Sequence, residues 1–546
     1  MNKLLLSSAV TAVLFAGQAG AITLTNSNTS VDVTFPGQTV HEVFISGSSA
    51  ATPFVEKSVA ADCSGSIYKF TNGSNDFTWI CDSSLTGEST VANVVHKHDA
   101  GGSITGAQSA LGTTTTFLDY ATLGNANGFI CSGTATSNGV TVIPCTTVTF
   151  PATAPHLSDI NLTDVDGAQF ESIANGSVTG ASGTTATPLA TQIFGVVINT
   201  RLYAALQVAS VAAGKLPHSC IDTNPVTLVS NPITIGTTSF TMPVDNTDAC
   251  MPSLTTEQIA SLAGKNRVTD WSAFNFGNSD PSLTSLTGVQ ALADQPRNND
   301  IHYCSRTAGS GTLAAFNIKF ENACYTGNEV IATASSATIS NETSTQNGKQ
   351  KVVHSMSGSG NMEDCLIGLN AGANSGTFTF PTVKFSSASA GANFRWAFGI
   401  MSLDRNSTVA KNYRYIKIDG FAPTAENVVN GKYKFWAELV NLSSPANPLT
   451  TNTLALDIMA NLGSAPQITA LNVQHPFGIS GFLGTATNAN YLPTTTTAIA
   501  PGTLINGAFD AARPVNTYSH VTAGGASLNH CRIPTIPGGT KSIPLF

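Results

Sequence analysis

Apolar positions along this chain fall in short runs separated by long polar stretches. TEQIASLAGK (residues 256–265) and TLAAFNIKFENA (312–323) carry apolar residues at the three-and-four spacing that predicts amphipathic helices. FGVVINT (194–200) is a continuous run rich in Val and Ile and predicts a buried strand. VNGKYKFWAELVN (429–441) alternates Tyr, Phe and Leu with polar residues at Lys432, Lys434 and Glu438, which predicts a strand in its first half. LALDIMANLG (454–463) predicts a late helix. Strands alternating with helices point to the α/β class rather than a sandwich.

Between these pieces lie polar stretches such as 113–129, 332–348 and 487–503, longer than connections within a compact domain usually are. They read as insertions, added small strands or mobile segments. The first residues behave differently. Met-Asn-Lys, the apolar run LLLSSAVTAVLFAG and Ala19-Gly20-Ala21 have the order of a secretory signal peptide cut after Ala21. The apolar run is too short to span a bilayer comfortably, and no second run of membrane-spanning length follows. Export to the periplasm or the cell exterior is therefore expected.

Ten cysteines in an exported chain predict disulfides, and no CxxC pair argues for a metal cluster. Sequence neighbours pair Cys63 with Cys81, Cys131 with Cys145, Cys220 with Cys250 and Cys304 with Cys324, leaving Cys365 and Cys531 for a long-range bond. Spacing alone does not fix that connectivity. Beyond residue 21 about 525 residues remain, more than one ordinary core holds, so two or more lobes are expected. A net charge of −8 without a long basic run disfavours nucleic acid as a partner.

The segment HYCSRTAGSGTLAAFN (302–317) concentrates the candidate chemistry. A helix beginning near Thr312 presents unpartnered N–H groups and partial positive charge at its start. Gly309 and Gly311 let the backbone approach an anion, Ser310 and Thr312 add hydroxyl donors, and Arg306 adds a planar fork suited to a tetrahedral oxyanion. Read locally, the same residues also make an ordinary Ser/Thr cap beside a surface arginine.

From this point the chain resembles the periplasmic phosphate-binding proteins that serve ABC phosphate transporters. The segments carrying the resemblance run in the family's order: ISGSSAATPF (45–54), KHDAGGSITGAQSALG (97–112), HLSDINL (156–162), FGVVINTRLYAAL (194–206), LTTEQIASLAGKNRVTDW (254–271), SRTAGSGTLAAF (305–316) and IKIDGFAPTAENVVNGKYKF (416–435). The resemblance implies a two-lobed, type II periplasmic-binding-protein-like α/β fold with a two-crossing hinge and extra loop or β insertions. One lobe is expected to comprise residues 22–197 with 400–546, and the other residues 198–399.

It also implies the ligand contacts. Arg306, Ser310, Gly311 and Thr312 match the family's Arg-x-x-Gly-Ser-Gly-Thr loop. Asp159, after Ser158, falls where the family carries a carboxylate that accepts the proton of hydrogen phosphate, which would make it the residue that rejects sulfate. Ser103 is the second loop's hydroxyl candidate, and Ala51-Thr52 stand in the first loop with one hydroxyl lost or displaced. Ala308 replaces the family's Asp beside the arginine, leaving Arg306 less fixed.

Other groups weigh less. His96-Lys97-His98-Asp99 reads as a solvated polar loop, and Asp164-Val165-Asp166-Gly167 lacks the closing Glu of a calcium loop. Trp271, Trp396 and Trp436 read as core. No nucleophile elbow or His-Glu-x-x-His is present, so an enzyme, a cofactor and a metal are not expected. Two functions follow: capture of phosphate or a similar oxyanion, with an ABC permease as partner in import, or a secreted or surface structural protein that reuses the fold with a weakened site.

Overall fold

The computed structural model describes residues 38–118, 129–147, 153–221, 245–273, 300–324, 351–380, 394–485 and 511–535, apart from short breaks, and a few strand pieces beyond them. The signal-peptide segment and the polar stretches 332–348 and 487–503 lie outside the described residues, as do residues 119–125 of the first stretch.

One sixteen-stranded mixed sheet organises the chain. In its first part, β1 (Thr39–Gly47) leads through α1 (Thr52–Ala61) to the hairpin β2 (Cys63–Asn72) and β3 (Asp76–Ser83). Then follow β4 (Val91–His98), α2 (Ser103–Ala110) and β5 (Ile160–Thr163). Both β4 and β5 lie parallel to β1, with Val95 opposite Val43 and Ile160 opposite Ile45.

The long strand β6 (Thr185–Asn199) carries the sheet onward into α3 (Thr200–Ala212) and α4 (Thr256–Ala263). Beyond them come β7 (Ile301–Arg306), α5 (Gly311–Glu321), β8 (Lys351–Met356), α6 (Ser359–Ala371) and β9 (Ala397–Ser402). The chain returns in β10 (Trp436–Ser443), α7 (Thr453–Leu462) and β11 (Phe482–Thr485). The strands stand in the order β2-β3-β4-β1-β5-β10-β6-β9-β7-β8. Residues 185–193 of β6 pair with β10, whereas residues 194–198 pair with β9, so this one strand belongs to both parts.

Each part has its own apolar core. Phe54, Val55 and Val59 of α1 pack with Leu454, Ile458 and Leu462 of α7 over Val43 and Ile45. On the other side Ile198, Leu202 and Tyr203 pack with Phe316, Leu366 and Phe398. Trp271, Trp396 and Trp436 all lie in this second core. The predicted helices at 256 and 312, the strand at 194–200 and the late helix at 454 are present within a residue or two of their expected starts, apart from the strand, which begins nine residues earlier.

Three expectations need correction. The strand of the 429–441 segment occupies its second half, because Ala425–Val429 is a helix whose end turns the chain at Gly431 before β10 begins at Trp436. His96, Lys97 and Asp99 are buried rather than solvated: His96 and Lys97 lie in β4, which is flanked by β1 and β3, and Asp99 follows it. Of the disulfides, Cys63–Cys81, Cys131–Cys145 and Cys220–Cys250 are as expected, but Cys304 bonds Cys365 and Cys324 bonds Cys531. Cys304 lies in β7 beneath α6, which holds Cys365, while Cys324 follows the end of α5 where the C-terminal segment passes.

Candidate functional site

Parallel strands leave their carboxyl ends on one edge, and the crevice outside that edge is where α/β proteins place ligands. Here Ser48-Ser49 follow β1, Asp99 follows β4, Asp164 follows β5, and Arg306 ends β7. Gly47 has φ +104°, and a Cβ there would stand 2.0 Å from the Leu162 carbonyl, so only glycine brings the Ser48 loop this close to β5.

Asp164 is the hub. Ser48 Oγ donates to its Oδ1, and Thr312 Oγ1 donates to its Oδ2 at 3.3 Å. Its amide donates to Ser103 Oγ at 3.2 Å. Thr52 Oγ1 donates to Asp99 Oδ2 at 2.7 Å, and Lys97 Nζ reaches the same oxygen at 3.3 Å and the Ser48 carbonyl at 3.1 Å. Arg306 Nη2 donates to the Ser357 carbonyl at 2.9 Å and to Ser49 Oγ at 3.3 Å.

Three helices start here. α1 begins at Thr52 and α2 at Ser103, while α5 begins at Gly311 with Ser310 as its cap, its Oγ accepting from the Leu313 amide. Their N-terminal N–H groups and partial positive charge converge on one small volume. The loops also touch: the Ile104 amide donates to the Gly309 carbonyl at 2.9 Å. Gly311 allows that approach, since a Cβ there would meet Ser103 Oγ at 2.4 Å and Asp164 Cβ at 2.7 Å.

Lys97, Asp99, Asp164, Arg306 and the hydroxyl residues Ser48, Thr52, Ser103, Ser310 and Thr312 are buried, and burial sets their electrostatics. Desolvation raises the Asp164 carboxyl above its usual value, opposed by the Ser48 hydrogen bond and the nearby Arg306. It lowers Arg306 to about 10, opposed by Asp164 and Asp99, and lowers Lys97, opposed mainly by Asp99. Arg306 still carries its charge at neutral pH. Two buried basic side chains thus face two buried carboxyl groups.

Of the residues singled out from sequence, Arg306, Ser310, Gly311, Thr312, Ser103 and Thr52 lie at this cluster. Ala51 is buried at the start of α1, where its amide donates to Ser48 Oγ at 3.2 Å. Asp159 does not join them. It precedes β5, whereas Asp164 follows it, so the two carboxylates stand at opposite ends of one strand, roughly 16 Å apart at about 3.3 Å per residue. Asp159 accepts instead from the Phe44 amide at 2.9 Å and Thr450 Oγ1 at 3.1 Å. Ser48, Lys97, Asp99 and Asp164 were missed as site residues. A hydroxyl-Asp pair at each end of LSDINLTD was the available signal, and only the direction of the strand decides between them.

The structure is thus a mixed α/β protein with a buried, hydroxyl-rich and charged cluster at the carboxyl edge of its sheet. No family model and no curated protein matches the chain. Among solved structures it is similar to a Clostridium perfringens protein assigned as a phosphate ABC transporter substrate-binding protein, with bound phosphate, at 15 % identity and a TM-score of 0.34, covering 79 % of this chain and 96 % of that one. An ABC-type phosphate transport receptor from Vibrio cholerae matches at 12 % identity and a TM-score of 0.30, covering 77 % and 93 %. PstS from Borrelia burgdorferi matches at 10 % and 0.27, covering 77 % and 92 %. No helix among the described residues is long and apolar enough to cross a membrane.

Proposed function

We propose that this protein is an exported, non-catalytic binding protein that closes on phosphate or a similar oxyanion at the Asp164–Arg306 cluster. The observation that carries this reading is the convergence of three helix N-termini with Arg306 and the hydroxyls of Ser48, Thr52, Ser103, Ser310 and Thr312. Such a set offers donors in many directions, which a tetrahedral oxyanion needs. Asp164, rather than Asp159, is the carboxylate placed to accept the proton that hydrogen phosphate brings and sulfate lacks.

In this reading the lobes are residues 22–197 with 400–546 and residues 198–399, and β6 with the chain returning into β10 forms the hinge. The Ile104–Gly309 contact joins loops from both, so a ligand touching both would favour the closed form. An ABC permease is the partner this reading implies.

A second reading has its own observation: Arg306 and Lys97 are balanced by Asp164 and Asp99, and Asp164 already holds two hydroxyl donors. A structural exported protein with a self-satisfied cluster would look like this. Calorimetric titration of the extensively dialysed chain with phosphate, and with sulfate as control, separates the two. Phosphate-selective heat that disappears in Arg306→Ala supports capture, and no heat with either anion sinks it.

A further inference from the structure

A second polar cluster lies behind β10, and the oxyanion reading makes no use of it. Glu438 of β10, His520 and His530 come within reach of one another, and all three are buried. Glu438 Oε2 stands 2.6 Å from His520 Nδ1 and 3.3 Å from His530 Nε2, and the three candidate ligand atoms all lie within 4.8 Å of one another.

The surrounding groups aim these atoms inward. Glu438 Oε1 is taken up by the Ser519 hydroxyl at 3.0 Å and the His520 amide at 2.8 Å, which turns Oε2 towards the imidazoles. Asp166 brings both its amide, at 2.9 Å, and its Oδ2, at 3.0 Å, to His530 Nδ1; when Nδ1 carries the proton that Oδ2 accepts, the lone pair of Nε2 faces Glu438. A carboxylate behind a ligating histidine fixes its tautomer and ring in many metal sites. The Glu438 amide, 3.2 Å from Nε2, is the competitor an ion would have to displace.

Access and competing ligands also fit. His520 and His530 line a cavity of about 430 Å³ that gives an ion a way in, past the basic Lys319, Lys434 and Arg532, whose charge works against a cation's entry. All ten cysteines are disulfide-bonded, so thiolates do not compete for a metal. Asp166 is two residues beyond Asp164, so the chain that ends β5 serves both clusters.

We propose that Glu438, His520 and His530 form a binding site for one divalent transition-metal ion of the zinc type, with Asp166 as positioning residue and a fourth position facing the cavity. Two imidazoles and one carboxylate are a set that binds Zn²⁺ while leaving a coordination position open. This inference does not depend on what the Asp164–Arg306 cluster binds.

The test uses the full disulfide-bonded chain, dialysed against a chelator and then against metal-free buffer at neutral pH. Isothermal titration with Zn²⁺ is expected to give one ion per chain with a Kd below about 1 µM. Co²⁺ is expected to develop visible ligand-field absorption that Zn²⁺ abolishes. His520→Gln should weaken Zn²⁺ binding more than about 100-fold, and Asp166→Asn about 10- to 100-fold. Near-UV circular dichroism of both variants checks that they fold. Absence of stoichiometric Zn²⁺ uptake by the wild-type chain overturns the proposal whatever the variants do, and so does equal uptake by folded His520→Gln.

Discussion

Replacing Asp164 by Asn keeps the shape of the hub and removes its charge. In the oxyanion reading this change affects phosphate and sulfate unequally. Hydrogen phosphate loses a charged acceptor for its proton, and hydrogen bonds to charged groups contribute about 1.5–3 kcal/mol. Both dianions are relieved of a like charge. At about 4 Å and an effective dielectric constant near 20, one pair of unit charges costs roughly 4 kcal/mol. The like-charge relief reaches both dianions, so the lost hydrogen bond sets the phosphate-to-sulfate affinity ratio, which should fall by about 10- to 100-fold, since about 1.4 kcal/mol is one decade. The Asn side chain can still accept from Thr312 or Ser48, whose hydroxyls now donate to Asp164, so the fold should survive. Displacement of phosphate by sulfate, followed calorimetrically in wild type and Asp164→Asn, reads the ratio directly. An unchanged ratio would refute the assignment of Asp164. The same substitution at Asp159 should leave selectivity as it is, because that carboxylate sits at the far end of β5.

Two further substitutions test the surrounding structure. Gly311→Ala would place a methyl 2.4 Å from Ser103 Oγ and 2.7 Å from Asp164 Cβ, and should destabilise by about 1–3 kcal/mol while weakening anion binding; an unaltered melting temperature would show that the loops yield without cost. Asp62, whose Oδ1 accepts from Asn461 at 2.9 Å, has its carboxyl raised by burial from 3.8 to about 6. A carboxyl raised on folding holds its proton more tightly in the folded chain, so stability is greatest below about pH 4 and falls as pH rises to about 6. Asp62→Asn should therefore be more stable than wild type by about 1–2 kcal/mol at pH 7 and no more stable at pH 4, after discounting for solvent contact; denaturant melts showing the same pH slope for both proteins would exclude this.

Local signals carried much of the architecture. The cap and helix at Ser310–Gly311, the helix at 256 and the three short-range disulfides each depend on residues within about thirty positions of one another. What could not be read depends on which strands become neighbours. His96-Lys97 looks solvated because its side chains are polar, yet both are buried in a strand that lies inside the sheet between β1 and β3. Ser158-Asp159 and Thr163-Asp164 are chemically alike, and the direction of β5 alone sends the second pair to the carboxyl edge. His520 and His530 are single histidines in an unpatterned polar region, 82 and 92 residues from Glu438, and only the folded chain brings them together. Cys324 and Cys531, 207 positions apart, show the same limit.

That last bond also changes what counts as one molecule. It closes a ring of chain that includes β8, β9, β10, α7 and β11, with the Cys304–Cys365 bond overlapping its start. A protease that cuts a single exposed loop anywhere between residues 324 and 531 therefore frees no fragment. The nicked protein migrates as one species until thiol is added. The C-terminal histidines stay tied to the end of α5 through such damage.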